Sequence, residues 1–491
     1  MDLRSFPILP GPLKRIVPIT LAVALFMENM DATVIATSLP AIAADIGTSP
    51  VALKLAFTAY FVALAIFIPV SSWVADRYGA KRVFCFAIIV FLLGSVACAF
   101  AGSLTEFVLA RFFKGMGGAM MTPLARLILF RSVPRSDLIG AMTWLTVPAL
   151  VAPTLGPPVG GFITTFVSWH WIFLINVPIG LAGLGLIVKC LPELEPGPPR
   201  RLDVTGFVLL GLAFSGVIFG LSLVSLPVLP VWVAIVTGGT GIAAIILYGF
   251  HVRRTDEPLL DPRIFREPAF RATIFGTALF LIGVGAMPFL LPLMLQLGFG
   301  MTPFETGLVT FMGAFGAMLT KFFTRQLYAG IGFRNALMGA TILSTLGMGV
   351  LGFVTPQTST ALIVVLLFVT GLVRSAYFTG QHALGLSQIA EDEAGQATAI
   401  STVTRPVATA LGVALAGFVL EVSAHGDALS LGDFHVAFFV VSGVSALAVV
   451  PFILLPKDAG SVVSGHLSSR SREEALKRSR ERGNDGQSPR F

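Results

Sequence analysis

Fourteen runs of roughly 20 mainly apolar residues follow one another along the chain, centred near residues 27, 62, 92, 116, 151, 181, 214, 240, 284, 315, 345, 372, 408 and 445. Each is long enough to cross about 30 Å of hydrocarbon as a helix. Hydrocarbon offers no water to satisfy backbone amides and carbonyls, so each run must close its own hydrogen bonds. The expected fold class is therefore an all-α integral membrane protein with 14 transmembrane helices. Composition agrees: 55% of the 491 residues are apolar and only 12% charged, about half the charged share of a soluble domain.

The first run follows Lys14 and Arg15 in the manner of a signal sequence, yet it is too long for one and carries Glu28 and Asp31. It reads as a retained span. Lys and Arg set the orientation. One set of connections holds Arg77, Lys81, Arg82, Arg131, Arg135, Arg200, Arg201, Arg253, Arg254, Arg263, Arg266 and Arg334, and the alternate set holds none. Both termini are expected on the cytoplasmic side, with Lys54 in the outer part of helix 2 as the one exception. The net charge of +7 mostly reflects those loops and the tail, so it argues topology and not nucleic acid. Cys85, Cys98 and Cys190 lie in or at the ends of spans, with no disulfide framework and no metal site in the pattern.

The runs group as six, two and six. Residues 1–190 form an N-terminal six-helix half, and 191–270 a connector with two additional helices. Residues 271–456 form a C-terminal six-helix half, and 457–491 a polar tail with a capping-box pattern at Ser471–Glu474. An internal echo supports two repeats: Gly79 aligns with Gly332 and Lys81 with Arg334, while Asp76 becomes Ala329. Repeats of this kind place a substrate site at their interface near the midplane.

Ser72-Trp73-Val74-Ala75-Asp76-Arg77-Tyr78-Gly79-Ala80-Lys81-Arg82 resembles the loop motif of the major facilitator superfamily, with Ser72 in place of its first Gly. Physically, Asp76 suits a pair with a nearby Arg that locks one conformation of the cytoplasmic side, so Asp76, Arg77, Gly79, Lys81 and Arg82 are the expected gate. Arg111 through Ala119 resembles the family's helix 4 stretch, with Lys114 where Gln is usual. Gly156-Pro157-Pro158-Val159-Gly160-Gly161 resembles the antiporter motif, whose prolines kink the helix and whose glycines permit close approach. Ser168 through Gly180, together with Asp31-Ala32-Thr33-Val34-Ile35 and Leu39-Pro40, resembles the fourteen-helix drug:proton antiporter subfamily. That resemblance covers essentially the whole chain. It implies the major facilitator fold, two six-helix halves plus an inserted two-helix hairpin, working by alternating access.

A carboxylate at bilayer depth costs roughly 2.5–3.5 kcal/mol or more, so Glu28 and Asp31 need partners and a use. Their i, i+3 spacing puts both on one helix face. Two readings stand: a structural buried ion pair, or a proton-titrating site on a transport path, which is favoured. At about 1.5 Å per residue, the depths of Asp31 and Arg111 match, as do those of Glu28 and Lys114. The expected pairs are therefore Asp31–Arg111 and Glu28–Lys114, and these four are the proton-coupling candidates. Lys321, Arg374 and Arg405 sit in the second half with no acid at comparable depth. Arg374 and Arg405 admit a structural and a functional reading alike. With Tyr60 and Gln296 they are the candidates for a substrate cavity.

The expected function is a proton-coupled antiporter that exports small hydrophobic organic compounds or drugs. The alternatives are a proton symporter or an exporter of organic anions on the same fold. A polytopic enzyme or receptor is the reading from another class, but no nucleophile or catalytic His constellation accompanies the spans. The chain is expected not to be an enzyme and to need no cofactor beyond a proton gradient. Its partners are a small organic substrate, protons and the lipid bilayer. It is expected to act as a monomer in the bacterial inner membrane.

Overall fold

The computed structural model describes residues 13–194, 201–224, 230–320, 323–390, 393–424, 428–456 and 459. Lys321 and the capping-box pattern at Ser471 lie outside them, as does all of the tail except Ala459. Among the described residues fourteen helices have 15 residues or more. In the first block they are α1 (Leu13–Val34), α2 (Lys54–Tyr78), α3 (Ala80–Ala99), α4 (Leu104–Ser132), α5 (Leu138–Phe166) and α6 (Asn176–Cys190). Then come α7 (Val204–Leu223) and α8 (Val231–Val252). The last six are α9 (Pro268–Leu293), α10 (Pro303–Leu319), α11 (Thr324–Leu351), α12 (Thr360–Leu386), α13 (Ala394–Ala424) and α14 (Leu431–Ala446).

Among the described residues, eleven helical segments are long and apolar enough to cross a bilayer by themselves. The other three are α4, α10 and α11. Helix α4 carries Glu106, Arg111, Lys114, Arg126 and Arg131, and α10 has 17 residues within its described bounds. Helix α11 is broken at Gly332. Each packs against an apolar neighbour, α4 on α2 and α3, and α10 and α11 on α12.

The repeat foreseen at Gly79 and Gly332 is present in the backbone. Gly79 has φ 90 and Gly332 φ 75, a region where a Cβ is strained and glycine is not. Just after each turn a cation reaches the end of its block's last helical segment. Lys81 Nζ donates to the Leu191 carbonyl at 2.7 Å, and Arg334 to the Ile453 carbonyl at 2.8 Å. Both satisfy helix-end carbonyls that have no partner of their own.

Helices α7 and α8 form a hairpin in which Gly216, Gly220 and Gly241 have no room for a Cβ, with Gly220 set against Gly238. This is the small-residue contact that membrane helices use for close packing. Among the described residues the hairpin is anchored to the blocks mainly through α7, which touches α2 in the first block and α13 in the last.

The two ends of the bundle differ. At the end distal to Leu13 and Ile453, the outer limits of the first and last described helical segments (the terminal end below), one continuous apolar cluster includes Val34, Phe57, Phe107 and Phe173 of the first block with Phe289, Leu293, Val413 and Phe434 of the last. At the terminal end the blocks keep separate clusters, one around Phe84 and Leu124, others around Phe333 and Tyr377 and around Phe270. The halves are thus fused distally and distinct near the termini.

Candidate functional site

Asp31 is fully buried and sits at the centre of an ion cluster. It accepts from Arg111 Nη1 at 2.9 Å, from Lys114 Nζ and from Asn176 Nδ2 at 3.3 Å. The Arg111 guanidinium lies 4.4 Å from the Tyr60 ring centroid. The Lys114 ammonium lies 4.6 Å from Phe91 and 4.8 Å from Phe173. Aromatic faces thus take up part of the positive field that one carboxylate cannot neutralise. Both cations come from one face of α4, and that helix is drawn in by glycine. A Cβ on Gly115 would stand 2.6 Å from the Tyr60 carbonyl, and one on Gly117 the same distance from the Ala87 carbonyl.

The expected pair Asp31–Arg111 is present, but the expected pair Glu28–Lys114 is not. Lys114 joins Arg111 on Asp31, and Glu28 accepts from Thr122 Oγ1 at 2.8 Å and from Asn29 Nδ2 at 3.4 Å. The reason lies in reach. A carboxylate has two oxygens, and the long Arg and Lys side chains converge on both. Glu28, one turn nearer the termini, then faces Gly118 and Thr122. Its electrostatic neighbour is Arg126, a further turn along α4. Asn176, Thr122 and Arg126 were all missed from the sequence. Asn176 was hidden inside the quoted Ser168–Gly180 string, and Arg126 near the end of the helix 4 run.

Helix α5 carries the Gly156–Gly161 string between the two blocks. With a Cβ, Gly156 would collide with the Thr33 hydroxyl, Gly160 with the Val34 carbonyl and Gly161 with the Pro303 carbonyl of α10. One face of the string therefore clamps α1 just past Asp31, and the other meets the opposite block. Gly307 of α10 returns the contact on the Pro157 carbonyl.

Further polar links between the blocks lie at the distal end. Gln296 donates to the Thr37 carbonyl at 2.9 Å, where a π-helical turn (Met294–Gly298) faces a 3-10 turn (Ile35–Ser38). The Phe304 amide donates to Thr165 Oγ1 at 3.1 Å. Lys54 pairs with Glu421 of α13, its stem lying where a Cβ on Gly417 would be. That pair accounts for the exceptional lysine, and Glu421 is a fourth residue that sequence reasoning missed.

Between the blocks is a cavity of about 200 Å³. Thr33 and Pro157 line it from one side, and Met287, Thr310, Ser344 and Arg374 from the other. Of the four cavity candidates only Arg374 is part of this lining. Tyr60 is buried beneath Arg111, Gln296 belongs to the distal seal, and Arg405 stacks on Phe378 at 5.0 Å. Tyr60 is too tightly packed to face a ligand, and the Gln296 amide is spent on a carbonyl.

At the terminal end Asp76 accepts from Arg131 at 2.9 Å, joining the ends of α2 and α4 within one block. Gly79 makes the turn, Lys81 caps the end of α6, Arg82 lies 3.8 Å from Glu193 and Arg77 is exposed.

The family model described as Major Facilitator Superfamily matches residues 21–257 and 273–480. The chain belongs to the major facilitator superfamily. It is 35% identical over 445 residues to a protein of Cronobacter sakazakii named as multidrug resistance protein MdtD, covering 89% of this chain and 94% of that one. Among solved structures it is similar to a D-xylose-proton symporter, with a TM-score of 0.65, 14% identity and coverage of 91% and 98%. It is also similar to the nucleoside transporter NupG, with a TM-score of 0.64, 12% identity and coverage of 89% and 99%. At such identities the structures speak for the fold alone. The superfamily is one of transporters, so this is a multi-pass membrane transporter with the all-α fold foreseen.

Proposed function

We propose that the chain is a proton-coupled antiporter that exports small hydrophobic organic compounds from a bacterial cytoplasm across the inner membrane. It acts as a monomer, with both termini cytoplasmic. The observation that carries this reading is Asp31, buried between Arg111 and Lys114 and two residues from Thr33, which lines the cavity. A buried carboxylate that keeps its cations stays charged, and one that loses them takes up a proton.

The fold couples that choice to conformation. Helix α5 clamps α1 beside Asp31 on one face and touches α10 on the other. When the distal contacts open and the blocks rock, α5 moves relative to α1 and changes the fit of Asp31 between its cations. Proton uptake from the distal side then accompanies release of substrate there, and re-formation of the cluster returns the proton to the cytoplasm. Asp76 and Arg131 hold α2 and α4 together at the cytoplasmic end during the cycle. The multidrug resistance name of the 35% identical relative supports the substrate class, and the α5 string supports exchange over symport.

The test is a substrate-gradient assay in inverted vesicles with and without an imposed pH gradient. Antiport predicts uptake into vesicles with an acidic lumen and none without the gradient. Accumulation that needs the opposite gradient would assign the chain to symport.

A further inference from the structure

The cavity between the blocks has a lopsided chemistry. Among its lining residues Arg374 is the only charged side chain. It stands on α12, half-buried, and among the described residues no carboxylate acts on it. Nor, among the described residues, does any lining hydroxyl accept a hydrogen bond from it. Thr33 donates to the Met30 carbonyl, Thr310 to the Thr306 carbonyl and Thr370 to the Leu366 carbonyl, each on its own helix. Ser344 Oγ is buried with no hydrogen-bond partner. Among the described residues, the donors facing this space without a partner are a guanidinium and one hydroxyl. The rest of the wall is apolar, with Met287, Leu291 and Leu367 among it.

We propose that this cavity is the substrate site and that its substrates are amphiphilic organic monoanions. The carboxylate or sulfonate of such a molecule meets Arg374, and its apolar body fills the remaining wall. This inference rests on the transport reading above and names the substrate class for it. A half-buried cation in an apolar wall without a counter-charge is costly, so the site gains most from a ligand that supplies the missing negative charge. The guanidinium fork suits a carboxylate, which it grips with two parallel bonds. Size agrees: an apolar cavity of about 150 Å³ already takes benzene, so about 200 Å³ holds an aromatic ring with an acidic substituent. A lipophilic cation of the same size would meet Arg374 head-on in a low-dielectric space. The Asp31 carboxylate is no help to it, being occupied by Arg111 and Lys114.

The test is equilibrium binding to the purified full chain in lipid nanodiscs, with no gradient present. Radiolabelled salicylate is compared with benzyltrimethylammonium. The wild type should bind salicylate at least about tenfold more tightly, the weight of one charge-assisted contact. Arg374→Ala should abolish that preference, Arg374→Lys should keep part of it, and Arg254→Ala, an exposed loop change, should keep all of it. Equal or tighter binding of the cation by the wild type overturns the proposal, whether or not the Arg374 variants fold. So does unchanged salicylate binding in a folded Arg374→Ala protein. Because no gradient is involved, failure here leaves proton coupling standing. Failed coupling with intact binding removes only the antiport reading.

Discussion

Lys54 and Glu421 stand 367 positions apart in sequence and form an ion pair across the two blocks of helices. The lysine side chain is fully buried and the glutamate nearly so. Removing one partner strands a buried charge, which costs about 3–5 kcal/mol, whereas removing both costs far less. Lys54→Ala or Glu421→Ala alone should therefore lower the thermal stability of the detergent-solubilised protein more than the double change does. The exchange Lys54→Glu with Glu421→Lys should recover much of the loss. Additive effects in that cycle would show that the pair does not link the halves energetically.

The ion cluster around Asp31 makes a similar demand with a different pattern. Since Lys114 bonds Asp31 and not Glu28, a double-mutant cycle between positions 31 and 114 should show strong coupling in stability. The cycle between 28 and 114 should show little. Asp31→Ala leaves two cations facing each other and should be the most damaging single change of the group. Strong 28–114 coupling would contradict the geometry.

Gly161 abuts the Pro303 carbonyl of the opposite block. Gly161→Val must push α5 and α10 apart at the distal end, at about 1–3 kcal/mol for overpacking. Ser38 is fully buried in that region. A cysteine placed there, in a background lacking Cys85, Cys98 and Cys190, should react faster with a membrane-impermeant thiol reagent once Gly161 is Val. An unchanged rate would mean that the string does not seal the distal end.

Asp76 holds Arg131 at the terminal end of one block, well away from the cavity. Asp76→Asn should slow turnover several-fold while leaving substrate affinity nearly unchanged. Measured separately, initial rates at saturation and equilibrium binding distinguish this from a role in the substrate site, which would weaken binding instead.

Much of this was legible in the sequence, for identifiable reasons. Apolar run length fixed the helices, since hydrocarbon leaves the backbone no alternative. The echo at Gly79 and Gly332 was legible because only glycine takes those backbone angles at no cost. Counting residues along two antiparallel helices paired Asp31 with Arg111 correctly. The same count failed for Glu28 and Lys114 because it treats side chains as points, and a lysine reaches a full helical turn. Tyr60, beneath Arg111, and Gln296, on the Thr37 carbonyl, fall outside the cavity expected to hold them, because residue type says nothing about which neighbour consumes a polar group. Lys54 was noticed, but its partner lay in the other half of the chain. The depth argument applied to Glu421 would have joined them, both being near the distal ends of their helices.

If Asp31 carries the coupling proton with Glu28 in support, as proposed, concentrative transport in inverted vesicles depends on both carboxylates. Asp31→Asn should abolish accumulation driven by a pH gradient while leaving the folded protein in the membrane, and Glu28→Gln should weaken it. A protein bearing both changes that still concentrates substrate with the pH dependence of the wild type would place the coupling proton elsewhere.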